Sequence, residues 1–235
     1  MIYISELEIV PKHIAIIPDG NRRWAEKKGV DKKEGYATGI RHIGDVLKWC
    51  KECGVPMLSM WGFSTDNMKR DASEVATLFD LFRKNLQEAI NSDDKNKSEL
   101  RVRFFGRVSV FPQEIQYMMK KAEEITAGKE RKYQLNLLLG YGGREELVDA
   151  INTLLKKGVK EVNEKMVSEN LYTKDIPDPD LIIRTSGEQR LSGLFPWQSC
   201  YSEFYFEEKL WPDFSKDDFV KALNEYSKRK RRYGK

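Results

Sequence analysis

Three observations predict an α/β fold: a mostly parallel, six-stranded sheet with helices on both faces. Short apolar runs alternate with longer amphipathic stretches along the whole chain. Several runs, such as Ile14–Ile17 and Leu181–Ile183, are continuously apolar, as strands covered on both faces are. Two of them stop abruptly in loops rich in Asp, Gly, Arg and Ser, where open parallel sheets collect ligands. Strands are expected at 13–17, 55–61, 101–105, 134–139, 180–184 and 202–206. Helices are expected at 21–28, 36–53, 72–91, 111–126, 143–157, 163–171 and 215–231. With 235 residues and 27.4 kDa there is enough chain for one sizeable core, so residues 1–235 are read as one domain.

Taken in order, the first strand ends at Pro18-Asp19-Gly20-Asn21, a breaker cluster suited to a tight turn. A basic helix then opens with Arg22, Arg23, Trp24 and Ala25. In helix 36–53, Ile40, Ile43, Val46, Leu47 and Cys50 recur at helical spacing, and Gly54 closes it. Helix 72–91 is apolar over more than one stripe (Val75, Leu78, Phe79, Leu81, Phe82, Leu86, Ala89, Ile90), the mark of a buried core helix. Asn91–Ser98 is a solvated loop, and Pro177-Asp178-Pro179 leads rigidly into strand 180–184. Helix 215–231 carries Phe219, Leu223 and Tyr226 on one side and ends in the basic run Lys228–Arg232.

Composition excludes several classes. Lys and Arg total 41 against 37 Asp and Glu, a net charge of +4, too balanced to mark a nucleic-acid binder. No apolar run approaches the roughly 20 residues a membrane span needs, and no signal peptide precedes Ile14. A cytosolic protein is expected, with at most peripheral membrane contact. Three cysteines cannot close a disulfide framework. Cys50 and Cys53 end a helix, where a thiolate is disfavoured, so they read as structural rather than redox-active.

The chemistry concentrates in two loops. A strand, a tight turn and a helix start present free backbone N–H groups and the positive helix end to an anion. In the first loop Arg22 and Arg23 favour phosphate, while Asp19 would repel it unless a hard cation such as Mg²⁺ lies between them. Taken alone, this motif is more often an ordinary turn with a capping Asp. The second loop shifts the balance: Arg184, Thr185, Ser186, Gly187, Arg190 and Ser192 follow a buried strand within nine residues. Glu203, eleven residues after Ser192, is a second acidic candidate for a metal. Two anion sites at strand ends point to a reaction between two phosphorylated substrates. No G-x-x-x-x-G-K-[ST] motif supports nucleotide phosphoryl transfer, and the D-D-x-x-D of trans-prenyltransferases is missing.

Five ordered motifs now carry a resemblance: K-H-I-A-I-I-P-D-G-N-R-R-W-A (12–25), W-G-F-S-T-D-N-M-K-R (61–70), L-L-L-G-Y-G-G-R-E-E-L (137–147), the block 180–206, and L-W-P-D-F (210–214) with the terminal R-R-Y-G. The chain resembles the cis-prenyltransferases, the undecaprenyl and dehydrodolichyl diphosphate synthases, including their archaeal members. The resemblance implies Mg²⁺-dependent condensation of isopentenyl diphosphate with an allylic prenyl diphosphate. It also implies a hydrophobic tunnel between sheet and helices, with helix 72–91 in its wall. By the same resemblance Asp19 contacts the metal, with Glu203 as a second contact. Gly20, Asn21, Arg22, Arg23 and Trp24 line the allylic diphosphate loop, and Arg184, Arg190 and Ser192 hold isopentenyl diphosphate. Phe63, Ser64, Asn67 and Arg70 match a segment that closes over substrate, Asn67 assisting proton loss. Arg232 and Gly234 match a terminal R-x-G that reaches a partner's site, implying a homodimer.

Several positions depart from the family pattern. Tyr36 stands where many relatives carry His, Met68 replaces a frequent Trp, Lys32 a frequent Arg, and Gly193 and Pro196 interrupt a more usual N-F-L-L run. These changes leave the metal and diphosphate residues intact and bear on acceptor choice and product length. Short-chain synthesis, non-head-to-tail coupling and a silent partner subunit are the alternatives. A silent subunit would be expected to lose the Asp, the arginines or the R-x-G, all of which are present.

Overall fold

The sheet is built on β1 (His13–Ile17), whose five residues are all buried. In this computed structural model, which describes residues 9–91, 99–128 and 131–229, the other strands are β2 (Met57–Phe63), β3 (Leu100–Phe105), β4 (Tyr133–Leu139), β5 (Leu181–Arg184) and β6 (Glu203–Phe206). Their spatial order is β3-β4-β2-β1-β5-β6, and every pairing is parallel. The helices are α1 (Asn21–Lys28), α2 (Lys32–Cys53), α3 (Ala72–Asn91), α4 (Gln113–Ile125), α5 (Gly143–Lys156), α6 (Glu164–Ser168) and α7 (Lys216–Lys228). Arg232, Gly234, the end of the basic run and nearly all of the 91–98 loop lie outside the described residues.

Because side chains alternate along a strand, each strand serves two layers. Ile14 and Ile16 join Leu58, Met60 and Ile183 in a core closed by Val46 and Cys50 of α2 and Phe219 and Leu223 of α7. Ala15 and Ile17 face the other way, with Leu138, Ile182, Tyr141 and Phe195. A third cluster joins Phe63 and Leu139 to α3 and α4 through Leu78, Leu81, Phe111 and Ile115. Cys50 and Cys53 are buried free thiols, and burial pushes the Cys50 pKa well above its ordinary value. No described helix is long and apolar enough to cross a membrane.

Boundaries differ from the sequence expectation where caps decide them. α2 begins at Lys32 rather than 36, because the Asp31 side chain accepts the Lys33 N–H at 2.7 Å. Apolar periodicity, which starts later, does not reveal that cap. β2 runs to Phe63 rather than 61, with a register shift against β4 between Trp61 and Phe63. α6 is five residues, not the nine of 163–171.

Candidate active site at the carboxyl ends of the central strands

β1 and β5 are neighbours whose onward connections diverge, β1 leading to β2 on one side and β5 to β6 on the other. Such a switch point leaves a crevice beyond the strand ends. Both chemistry-bearing loops open into it. Gly20, at φ 112°, turns the chain from β1 into α1, and a Cβ there would lie 2.9 Å from Leu210 Cδ2. The turn is tied down through the Asp19 carbonyl, which accepts from Trp211 N at 2.9 Å and Thr185 Oγ1 at 2.8 Å. In the second loop Ser186 and Ser192 hold positive φ values of 85° and 52°, a strain that clusters at functional loops.

Asp19 Oδ2 accepts from Arg184 Nη2 at 3.0 Å and lies 3.5 Å from Arg23 Nη2. Partial burial works to raise the Asp19 pKa, but hydrogen bonds from Arg184 and Ser186 and the two guanidinium charges outweigh it, and the carboxyl titrates below its ordinary value. Arg184 itself is 4% exposed and donates through Nη1 to Ser192 Oγ at 2.8 Å and to the Arg190 carbonyl. Arg23 Nη2 donates to Ser186 Oγ at 2.6 Å, so the two loops are laced together.

A second cluster sits across α1. Glu74 of α3 takes Arg70 Nη1 at 2.9 Å and lies 3.9 Å from Arg22 Nη1. The 3₁₀ turn Thr65–Lys69 lies beside it, closed by a reciprocal cap: Asn67 Oδ1 accepts from Ser64 N at 2.9 Å, and Ser64 Oγ from Asn67 N.

Both clusters border one elongated cavity of about 930 Å³. At the strand ends it is lined by Asp19, Arg22, Arg23, Arg70, Arg184 and Arg190, and Gly20, Asn21, Phe63, Ser64, Asn67 and Ser192 also border it. Its other end is apolar, between Leu100 and Val102 of β3, Leu135 and Leu137 of β4, Leu86 and Ile90 of α3, and Ala122 and Ile125 of α4. A charged mouth and an apolar body describe the receptor for an anionic amphiphile.

Two expected residues are not brought to the cavity. Trp24 turns away, its Nε1 donating to Asp213 Oδ1 at 2.8 Å. Glu203 opens β6 in register with Leu181, whereas Asp19 lies two residues beyond Ile17, which pairs with Arg184. Within one chain the two carboxylates therefore stand at opposite ends of the sheet, and Glu203 instead takes Arg229 Nη1 at 2.7 Å. Conversely, the sequence reading gave no role to Glu188 or Glu74. Glu188 lines the cavity and bridges Arg190 to Arg23, the latter at 3.7 Å. The one local signal for Glu188 is its place two residues before Arg190; Glu74 has only its i,i+4 spacing from Arg70.

Among known proteins, the family model described as putative undecaprenyl diphosphate synthase matches residues 17–234. The chain belongs to this family, the cis-prenyltransferases. An isoprenyl transferase of Thermus thermophilus is 44% identical over 236 residues, covering 96% of this chain and 89% of the relative. A tritrans,polycis-undecaprenyl-diphosphate synthase (geranylgeranyl-diphosphate specific) of Methanocaldococcus jannaschii is 39% identical, covering 96% and 83%. The crystal structure of lavandulyl diphosphate synthase from Lavandula x intermedia, in complex with dimethylallyl diphosphate, superposes with a TM-score of 0.87 at 32% identity, covering 97% of this chain and all of that one.

Proposed function

We propose that this cis-prenyltransferase condenses isopentenyl diphosphate with an allylic prenyl diphosphate, with Mg²⁺, to give a Z-configured polyprenyl diphosphate. One observation carries the reading: a single cavity joins an arginine-lined mouth at the strand ends to an apolar body along α3 and α4. A prenyl diphosphate has the same two halves. The relatives named above support the substrate class, and the geranylgeranyl and dimethylallyl diphosphates named with two of them frame the range of allylic partners to test.

The donor set fits a substrate-bridged metal. Among the described residues no group of three or more His, Cys, Asp or Glu side chains could hold an ion by itself. Asp19 and Glu188 are carboxylates among the arginines of the mouth, and Mg²⁺ is commonly held by one or two carboxylates together with substrate phosphates. When bound, the metal neutralises charge on the departing diphosphate. Arg22, Arg23 and Arg70 orient the allylic diphosphate and stabilise its negative charge as the allylic C–O bond breaks. Arg184, Arg190 and Ser192 hold isopentenyl diphosphate so that its alkene meets the allylic carbon. Asn67, which borders the same cavity, assists loss of the proton. The apolar body keeps water from the developing cation and receives the lengthening chain. A homodimer in which Arg232 and Gly234 reach the partner's site completes the proposal.

The test is incubation of the purified protein with Mg²⁺, radiolabelled isopentenyl diphosphate and a panel of allylic primers. Chromatography of the dephosphorylated products reads the outcome. Polyprenyl products are expected, together with a loss of turnover of about 10³-fold or more in Asp19→Asn, which keeps the shape and removes the charge. Absence of products with every primer, or near-normal turnover in Asp19→Asn at saturating Mg²⁺, overturns the proposal.

A further inference from the structure

Tyr36, where many relatives carry an imidazole, is given no task by the two diphosphate loops. It is 8% exposed on α2 and lines the cavity mouth. Its hydroxyl donates to Glu74 Oε1 at 2.7 Å and accepts from Arg70 Nη1 at 3.0 Å. Arg70 Nη1 also donates to Glu74 Oε1 at 2.9 Å, so the three groups close a triangle between α2, α3 and the end of the 3₁₀ turn. From α1 the Arg22 guanidinium comes within 3.9 Å of Oε1, and from the first residue of α2 the Lys32 ammonium within 4.0 Å of Oε2. One carboxylate, with its side chain 13% exposed, thus gathers three cations and a phenol.

We propose that Tyr36 is a positioning residue which, together with Glu74, fixes the Arg70 guanidinium at the cavity mouth and thereby sets affinity for the allylic diphosphate. The inference rests on the prenyl-transfer reading above. A free arginine side chain carries rotamer entropy that a preset guanidinium has already given up before ligand arrives. Toward the described residues Arg70 bonds through Nη1, which leaves Nη2 and Nε to grip a phosphate in the forked geometry that suits arginine. Arg22 converges on the same carboxylate from the first loop, which assigns the cluster to the allylic rather than the isopentenyl side.

The phenol also differs from an imidazole in how it responds to pH. Burial first, and then the hydrogen bond to Glu74, drive the Tyr36 pKa well above its ordinary value; the Arg70 and Arg22 charges oppose this without reversing it. The hydroxyl therefore keeps its proton, and its geometry, through the range near pH 6.5 in which an imidazole would change charge.

The test measures binding of farnesyl thiodiphosphate, a slowly reacting allylic analogue, with Mg²⁺ to the full chain. Wild type, Tyr36→Phe, Arg70→Ala and the double variant are compared. Thermal midpoints and the KM of each substrate are measured alongside. Tyr36→Phe keeps the ring and removes the hydroxyl. It is expected to weaken analogue binding and raise the primer KM about tenfold, with a smaller loss in kcat and the isopentenyl diphosphate KM within about twofold of wild type. In the Arg70→Ala background the same change should cost less than about twofold, because the group it positions is gone. Tyr36→His is expected to introduce an inflection near pH 6.5 into the primer kcat/KM that wild type lacks. This variant also decides the matter if Tyr36→Phe does not fold. Unchanged analogue affinity in Tyr36→Phe, a fully additive loss in the double variant, or no new inflection in Tyr36→His overturns the inference. A wild type that binds the analogue yet transfers no prenyl group defeats the prenyl-transfer reading, while the binding comparison still decides the role of Tyr36.

Discussion

His13 opens β1 with no exposed surface, and its ring is held at both nitrogens. Nδ1 lies 2.7 Å from the Pro177 carbonyl and Nε2 2.7 Å from Ser59 Oγ. A carbonyl only accepts, so Nδ1 carries the proton and Nε2 accepts from the serine hydroxyl. Ser59 Oγ in turn accepts from Asn136 Nδ2 at 3.0 Å, and Asn136 Oδ1 from Gln134 Nε2 at 2.7 Å. The chain of bonds is complete with a neutral imidazole and is broken by a second ring proton. Burial accordingly pushes the His13 pKa down to about 4. Below the unfolded value of 6.5 the unfolded chain binds a proton that the folded protein refuses, so stability falls as pH drops from 6.5 toward 4. The full effect is about 3 kcal/mol at 1.36 kcal/mol per unit. Urea denaturation across this range should show a steeper acid loss in wild type than in His13→Gln. Equal slopes would remove His13 as the cause.

Among elements, the start of α5 and the turn after Ser192 depend on each other. Gly143 N donates to the Gly193 carbonyl at 2.9 Å, and a Cβ on Gly143 would fall 2.0 Å from Pro196 Cδ. Ser192, one residue before this turn, holds Arg184. Gly143→Ala should therefore push the 193–196 turn away, costing about 1–3 kcal/mol of stability and raising the isopentenyl diphosphate KM more than the primer KM. Pairing it with Pro196→Ala should recover part of both losses. Failure of the second change to help would show that the clash is relieved elsewhere. This coupling marks the limit of what the sequence discloses. Ile14–Ile17 and Leu181–Ile183 announce buried parallel strands because burial on both faces leaves a continuous apolar run. The loops after them announce an anion site through residue type alone. Pairings between distant elements leave no such trace. Glu74 reaching Arg70 and Arg22, Glu188 joining Arg23 to Arg190, and Trp24 turning to Asp213 are set by how α1, α3 and the β5 loop pack. The position of Glu203 is hidden for the same reason: it comes eleven residues after Ser192 in sequence, and the intervening chain carries it back to the opposite end of the sheet.

At the scale of the whole molecule, the sheet sets the length of the cavity and the helices set its width. The wall on α3 extends from Leu78 to Ile90, about 18 Å at 1.5 Å per residue. Leu100 and Leu135 carry it toward the amino ends of β3 and β4, away from the Asp19 carboxylate. A volume of about 930 Å³ lies near the top of the roughly 300–1,000 Å³ of ordinary small-molecule sites, more than a ten-carbon product would fill. Elongation over several condensations would use that space; a single coupling would not. Ala122 stands on α4 at the end far from the arginines, beside Val102 and Thr126, and is 7% exposed. Phenylalanine there would project into open cavity rather than into close-packed core, so its stability cost should stay within about 1 kcal/mol. The first condensation, confined to the mouth, should proceed within about threefold of the wild-type rate. Later condensations would drive the tail into the new ring, and the products should shorten. A product distribution identical to wild type, from a folded Ala122→Phe protein, would mean that the growing chain leaves by another route and that the apolar body is not its receptacle.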